Sequence, residues 1–168
     1  MQGARRVRLG ILSDSHDRVD QARRAVDLLV QSGTQCLIHC GDVGGIDAFD
    51  VLVGHPAHFV WGNTDVLSQG LLAYLESVEL SPPEKTPLEL ILDGKRIWVF
   101  HGHEPGFQNA IKSGQADYIL HGHTHVARDE RFGRTRVINP GALHRARQYT
   151  VAILDLADDT VTFLPVLP

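Results

Sequence analysis

Val7-Arg8-Leu9-Gly10-Ile11-Leu12-Ser13-Asp14-Ser15-His16 opens as an apolar run rich in branched residues and closes on a carboxylate and an imidazole. Such a run reads as a strand buried on both faces. The polar pair falls at its carboxyl end, where open α/β sheets bind their ligands. Apolar residues then recur at Val19, Ala22, Val26, Leu29 and Val30, the spacing of an amphipathic helix, and Gly33 supplies a left-handed stop. The unit is strand, polar loop, helix, and it repeats. A second strand, 36–40, ends in Gly41-Asp42 and leads to a short helix from about Asp47, an N-cap candidate. A third, 57–61, ends in Gly62-Asn63-Thr64-Asp65, with a helix over 69–75 before Pro82-Pro83.

From Leu88 the pattern changes. Residues 88–92, the turn pair Asp93-Gly94 and residues 96–100 read as an antiparallel hairpin whose second strand runs into His101-Gly102-His103. A short helix over 107–112 precedes the strand 118–120, which delivers His121-Gly122-His123-Thr124-His125. Imidazoles at alternate positions of an extended backbone point to one side, so a pair of them can converge on one target. Short strands follow at 126–131, 134–138, 149–156 and 160–166. An αβ first half and a mostly β second half predict an α/β fold of two packed sheets with helices outside.

With 168 residues, 43% of them hydrophobic, the chain is long enough for one well-buried core, and we expect a single domain, 1–168. A net charge of −4 gives no general nucleic-acid-binding surface, so phosphate binding has to be local. No stretch approaches the roughly 18 apolar residues of a membrane span, and we expect no membrane association and a cytoplasmic protein. Cys36 and Cys40 lie four residues apart on a predicted strand, about 13 Å at ~3.3 Å per residue, too far for a disulfide. They read as small buried hydrophobes in a reducing compartment.

Asp14, His16, Asp42, Asn63, His101, His123 and His125 all stand at strand ends. Any one of them has an ordinary explanation as a helix cap or turn residue. Together, seven oxygen or imidazole donors without sulfur are too many for one tetrahedral ion and suit two ions sharing a carboxylate.

The order Asp14-x-His16, Gly41-Asp42, Gly62-Asn63, His101-Gly102-His103, Gly122-His123-Thr124-His125 resembles the signature of the calcineurin-like metallophosphoesterases. With Asn139-Pro140-Gly141 it is similar to the small bacterial and archaeal phosphodiesterase branch. The resemblance implies a four-layer αββα sandwich and a dinuclear centre. In it Asp14, His16, Asp42 and His125 would hold one ion, and Asp42, Asn63, His101 and His123 the other, with Asp42 bridging. The ions expected by resemblance are Mn²⁺, with Fe, Zn²⁺ or Ni²⁺ as alternatives. Two departures stand out: Thr64 occupies the place where many members carry a histidine acting as general acid, and Ala142 follows Asn139-Pro140-Gly141 where serine is usual.

The expected reaction is hydrolysis of a small phosphoester, most simply a phosphodiester, by in-line attack of a metal-bridging hydroxide, and it needs no nucleophilic side chain. Ser13, Ser15 and Thr124 then read as hydrogen-bonding loop residues. Asp42, Asn63 and His103 are the candidate catalytic residues; for His103, contact with phosphate or proton and support of His101 both remain open. Arg134 and Arg136 are assigned to solvent faces, and Arg145 and Arg147 are the better candidates for approaching phosphate, with His144 beside them. His39, His55, His58 and His121 read as structural. The alternatives are a non-catalytic metal-binding scaffold, as in a eukaryotic retromer subunit that resembles this fold, or a phosphate- or nucleotide-binding module. Self-association is left open.

Overall fold

The computed structural model describes residues 6–167. Two five-stranded sheets carry the chain. The first is built from β1 (Arg8–Leu12), β2 (Cys36–His39), β3 (Ala57–Phe59), β9 (Thr150–Asp155) and β10 (Thr160–Pro165), in the order β10-β9-β1-β2-β3. The second is built from β4 (Leu88–Leu92), β5 (Lys95–Val99), β6 (Tyr118–Leu120), β7 (Arg128–Phe132) and β8 (Thr135–Asn139), in the order β4-β5-β6-β8-β7. Three strands of each run parallel, β1, β2 and β3 at one end of the first sheet and β5, β6 and β8 in the centre of the second, and the remaining strands pair antiparallel.

Side-chain alternation sorts the core into layers. Leu9 and Ile11 of β1, Ile38 of β2, Ile97 and Val99 of β5, Tyr118 and Leu120 of β6 and Ile138 of β8 meet between the sheets. Leu12, Leu37, Phe59 and Ile153 face the other way, against α1 (Val19–Gln31), α2 (Ile46–Asp50) and α3 (Gln69–Ser77). Ile119 and Val137 leave the second sheet on its far side and pack on Phe107 and Ile111 of α4 (Phe107–Ser113). The layers are helices, sheet, sheet, helix, the αββα sandwich expected. The edge strand β4 obeys the same rule: Leu88, Leu90 and Leu92 pack inward while Glu89 and Ile91 are exposed.

Helix α1 buries Ala22, Ala25, Val26 and Leu29 and ends before Gly33, whose φ of +81° fits the predicted left-handed stop. Val30, assigned to its apolar face, is 39% exposed. Helix α2 starts one residue earlier than predicted. Its N-cap is Gly45, and Asp47 lies inside the first turn, where its charge complements the helix dipole. Strand β7 starts at Arg128 rather than Val126, because the His125 backbone is left-handed at φ +58° and keeps residues 124–127 in a loop. Arg136 also departs from expectation. Its side chain is only 12% exposed and pairs with Asp129 and with Asp159, at the turn between β9 and β10. Cys36 and Cys40 are free.

Candidate metal centre

The six parallel strands deliver their carboxyl ends to one edge of the sandwich: Asp14 and His16 after β1, Asp42 after β2, Asn63 after β3, His101 and His103 after β5, His123 and His125 after β6, and Asn139-Pro140-Gly141 at the end of β8. Two loops are drawn together by backbone bonds, Asp14 N–H to the Gly41 carbonyl at 3.1 Å and His16 N–H to the Asp42 carbonyl at 3.0 Å. A third joins at Gly122, whose N–H donates to the His101 carbonyl at 2.8 Å.

The close approach requires glycine, most tightly at Gly62 and Gly122. A Cβ on Gly62 would run into the Asp42 carboxylate and backbone, and one on Gly122 would run into Ser13 Oγ and Asp14 Oδ2. The ligand candidates themselves take the cost the other way. Asp14, His16, Asp42, His123 and His125 are all left-handed, with φ between +44° and +68°, a conformation uncommon for residues with a side chain and concentrated at functional sites.

Asp42 is the best-placed of the candidates to be shared. Its Oδ2 lies 3.5 Å from His16 Nε2 and 3.3 Å from His101 Nε2, and its Oδ1 accepts the Thr64 N–H at 2.9 Å. Burial alone would raise its pKa, but hydrogen bonding to His101 and Thr64 outweighs burial and holds the carboxyl well below its usual range. His101 is fully buried; its Nδ1 faces the Cys40 carbonyl at 2.8 Å. A carbonyl only accepts, so Nδ1 carries the hydrogen and Nε2 is turned toward Asp42 and toward Asn63 Oδ1 at 3.1 Å.

Asp14 is divided between two tasks. Its Oδ2 accepts Ser13 Oγ at 2.6 Å and the His123 N–H at 3.0 Å. Its Oδ1 is buried without a donor, 3.1 Å from His125 Nε2 and 3.8 Å from His16 Nε2, itself a buried nitrogen without a hydrogen-bond partner. His125 Nδ1 faces the Arg145 carbonyl at 3.3 Å. Donor atoms of Asp14, His16 and His125 lie within 4.8 Å of one another, as do those of Asp14, Asp42 and His101. Buried lone pairs facing one another are unfavourable unless a cation sits among them. The donor set fits divalent ions with nitrogen and oxygen ligands.

The geometry departs from the expected ligand sets at Asp14 and at His123. Asp14, assigned to one ion, reaches both clusters, while His123 belongs to neither; its ring lies edge-on to His101 at 5.0 Å between centroids. His103 is on the rim, its side chain 37% exposed and its ring 5.3 Å from that of His101. Thr64 Oγ1 is 3.5 Å from His16 Nδ1.

Three side chains support the ligand loops, and of these only Asp65 and Asn139 fell within motifs of the sequence. Glu104 accepts the N–H groups of His101 and Gly102 at 2.8 and 2.7 Å. Asp65 accepts those of Gly62 and Gly44 at 2.8 and 3.0 Å, tying two ligand loops together. Asn139 donates to the Gly122 carbonyl at 2.9 Å and to Thr124 Oγ1 at 3.0 Å. His39 and His121 are buried supports: Ser15 Oγ meets His39 Nε2 at 2.9 Å, and burial pushes the two pKa values down to about 3 and about 4. His144 lies closer to the centre than its sequence position indicated, with its ring 5.4 Å from that of His16. Arg128, Arg131, Arg134 and Arg136 all pair with carboxylates, and among the described residues Arg145 and Arg147 do not.

A two-sheet sandwich with oxygen and imidazole donors converging at its strand ends is the architecture of a metallohydrolase. The pattern defining the calcineurin-like phosphoesterase superfamily domain matches residues 7–159. The chain belongs to that superfamily, and with it to the metal-dependent phosphoester hydrolases. It is 28% identical to the phosphodiesterase MJ0936 of Methanocaldococcus jannaschii over 138 residues, 80% of this chain and 83% of that protein. It is 26% identical to the phosphodiesterase YfcE of Escherichia coli K12, over 92% of this chain and 89% of that one. The solved structure of an archaeal phosphodiesterase superimposes with a TM-score of 0.84 at 26% identity, covering 95% of this chain and 99% of that one.

Proposed function

We propose that this protein is a phosphodiesterase that hydrolyses a small phosphodiester at a centre of two divalent ions, by in-line attack of water. Asp14, His16, Asp42 and His125 hold one ion, and Asp42, Asn63, His101 and His123 the other. The observation that carries the reading is Asp42 Oδ2, set between His16 Nε2 and His101 Nε2. Two bound ions supply an acidified water and neutralise the phosphoryl oxygens. Mn²⁺ is the expected metal, and Fe, Zn²⁺ or Ni²⁺ would suit the same donors.

The chain's own groups do the rest. Ser13 and the His123 N–H occupy one oxygen of Asp14 and leave the other free to bind. The Cys40 and Arg145 carbonyls orient His101 and His125 so that each presents Nε2 inward. Thr64 has no proton labile near neutral pH, so it cannot assist the leaving oxygen as a histidine would. His103, exposed at the rim and in ring contact with His101, is the side chain that can meet phosphate or its proton.

The test is hydrolysis of bis(p-nitrophenyl) phosphate by chelator-treated protein with and without Mn²⁺. Metal-dependent release of p-nitrophenolate is expected. A scaffold or a binding module would take up the ion and leave the diester intact, and that result would reject the reading.

A further inference from the structure

Strand β4 is a free edge of the second sheet: it pairs with β5 on one side and with no described strand on the other. Its hairpin turn fixes which backbone groups lie along that edge. Asp93 and Gly94 both have positive φ, +49° and +72°, the two-residue turn that closes on a hydrogen-bonded pair, here Leu92 and Lys95. Alternation then directs the N–H and C=O groups of Leu88, Leu90 and Leu92 to β5 and those of Glu89 and Ile91 outward.

An edge of this kind pairs with another chain unless something blunts it. The other three edges are blunted. Strand β3 has three residues, β7 carries Arg128, Asp129, Glu130 and Arg131, and β10 exposes Thr160 and Thr162 and ends on Pro165, which has no N–H. Strand β4 instead reads Leu-Glu-Leu-Ile-Leu. Ile91 is 75% exposed, the most of any large hydrophobic side chain on a described strand. On the opposite face Leu88, Leu90 and Leu92 are each half-buried at the margin of the layer between the sheets.

The strand is complementary to itself in one register. Antiparallel pairing sets outward residues opposite outward residues, and like charges directly opposite are destabilising. A two-fold axis through Glu89 opposes Glu89 to its own copy and Ile91 to Pro87. An axis through Ile91 opposes Glu89 to Asp93. An axis through Leu90 opposes Glu89 to Ile91, Leu88 to Leu92 and Leu90 to itself, with no like charges facing each other along the strand. Glu89 keeps its own counterion there, Lys85 at 2.8 Å.

We propose that the protein forms a two-fold dimer through β4, antiparallel to the same strand of a second copy about Leu90, which joins the two second sheets into one. Glu89 and Ile91 of each copy exchange backbone hydrogen bonds with Ile91 and Glu89 of the other. The three leucines carry the apolar layer across the axis, and the isoleucines leave water.

Light scattering on the full chain over roughly 5–500 μM, a range suited to an interface at the small end of the size scale, reads the mass against 18.5 kDa for one chain. A rise to twice that mass is expected; in a larger assembly the variant below should halve the mass. Ile91→Glu opposes glutamate to Glu89 at both ends of the pairing and removes the isoleucine contact, and should raise the dissociation constant about tenfold or more. Val66→Glu, at a hydrophobic residue 77% exposed elsewhere, should leave it unchanged. Adding Glu89→Lys to Ile91→Glu opposes unlike charges and should restore association to within about threefold of wild type. Leu90→Cys places two sulfurs at the axis, in a pair about 4.5 Å apart between Cα atoms that suits a disulfide. Mild oxidation should then give a covalent dimer that wild type, with Cys36 and Cys40, does not give. Circular dichroism checks the fold of each variant, and the charge pair at the exposed Glu89 and Ile91 decides alone if Leu90→Cys misfolds. A monomer at every concentration would overturn the proposal. So would association that Ile91→Glu leaves intact, that Val66→Glu weakens equally or that Glu89→Lys does not restore, and so would a folded Leu90→Cys protein that fails to cross-link.

Discussion

Glu104 holds the backbone that presents His101, and removing it separates the support of the centre from its ligands. Its carboxylate accepts two consecutive N–H groups, at 2.8 and 2.7 Å, from a side chain only 14% exposed. Hydrogen bonds to a charged group contribute about 1.5–3 kcal/mol each. Glu104→Ala removes both and leaves the N–H of the buried His101 without its acceptor. Because some water can reach Gly102, the low end of the range applied twice, about 3 kcal/mol, is the expected loss of stability. For a chain of this size each kcal/mol moves the melting temperature by roughly 2–4 °C, so a fall of roughly 6–12 °C follows. The ligands all remain, and only their orientation is loosened, so the metal concentration for half-maximal activity should rise about 10- to 100-fold while the rate at saturating metal is largely recovered. Glu104→Gln keeps one acceptor oxygen but turns an NH₂ toward the second N–H, and should fall between wild type and alanine. Thermal unfolding and a metal titration of diester hydrolysis measure the two effects. A Glu104→Ala protein that melts within a degree of wild type and needs no more metal would refute the reasoning.

Asp42→Ala and His123→Ala should each abolish metal-dependent turnover with the circular dichroism spectrum retained, because both residues lie at strand ends outside the core; a near wild-type rate for Asp42→Ala in saturating metal would reject a shared carboxylate. Thr64→His should raise the rate more for an alkyl than for an aryl leaving group, since a general acid contributes about 10²- to 10⁴-fold only where the leaving oxygen needs a proton; equal gains on both would show that another group already supplies it. In chelator, stability should depend on His101: burial lowers its pKa, but hydrogen bonds to Asp42 and the Cys40 carbonyl outweigh burial, so the folded value stands above the unfolded one. The stabilisation is then fully present below about pH 6.5 and lost as pH rises through the higher folded value, and melting curves from pH 6 upward should fall for wild type and stay flatter for His101→Gln.

Strand ends were legible in the sequence because burial imposes a period and chemistry interrupts it. Residues 9–12 and 36–38 are apolar or glycine, and the polar residues of the site follow within a few positions. The hairpin at Asp93-Gly94 and the stop at Gly33 were legible for the same kind of reason, one residue type serving one backbone geometry. What escaped was anything decided by a contact between distant strands. Arg136 fits a solvent face by alternation, and the β9–β10 turn, which brings Asp159 across, covers its side chain together with Asp129 of the neighbouring strand. Glu104, Asp65 and Asn139 act on backbone groups, which have no identity in a sequence, so the motifs that contain Asp65 and Asn139 carried a resemblance but not these roles, and nothing distinguished Glu104. His144 was placed beside the arginines by its number, whereas the loop after Gly141 turns it back onto His16.

The left-handed backbone at Asp14, His16, Asp42, His123 and His125 links those legible and illegible parts. Each such residue is held against an intrinsic preference of roughly 1–2 kcal/mol, and glycine, which would relieve it, has no side chain to offer a metal. The preference is opposed by hydrogen bonds on those same loops: the Asp14 and His16 N–H groups donate to the Gly41 and Asp42 carbonyls, the His123 N–H donates to Asp14 Oδ2, and the Gly122 carbonyl accepts from the Asn139 amide. Glycine is used instead at Gly62, beside Asn63, and at Gly122, beside His123, where the requirement is room for another loop. The division of labour is clearest at Gly122-His123. There His123 supplies the donor and accepts the strained turn, and Gly122 gives up a side chain so that the Ser13-Asp14 loop can close on it.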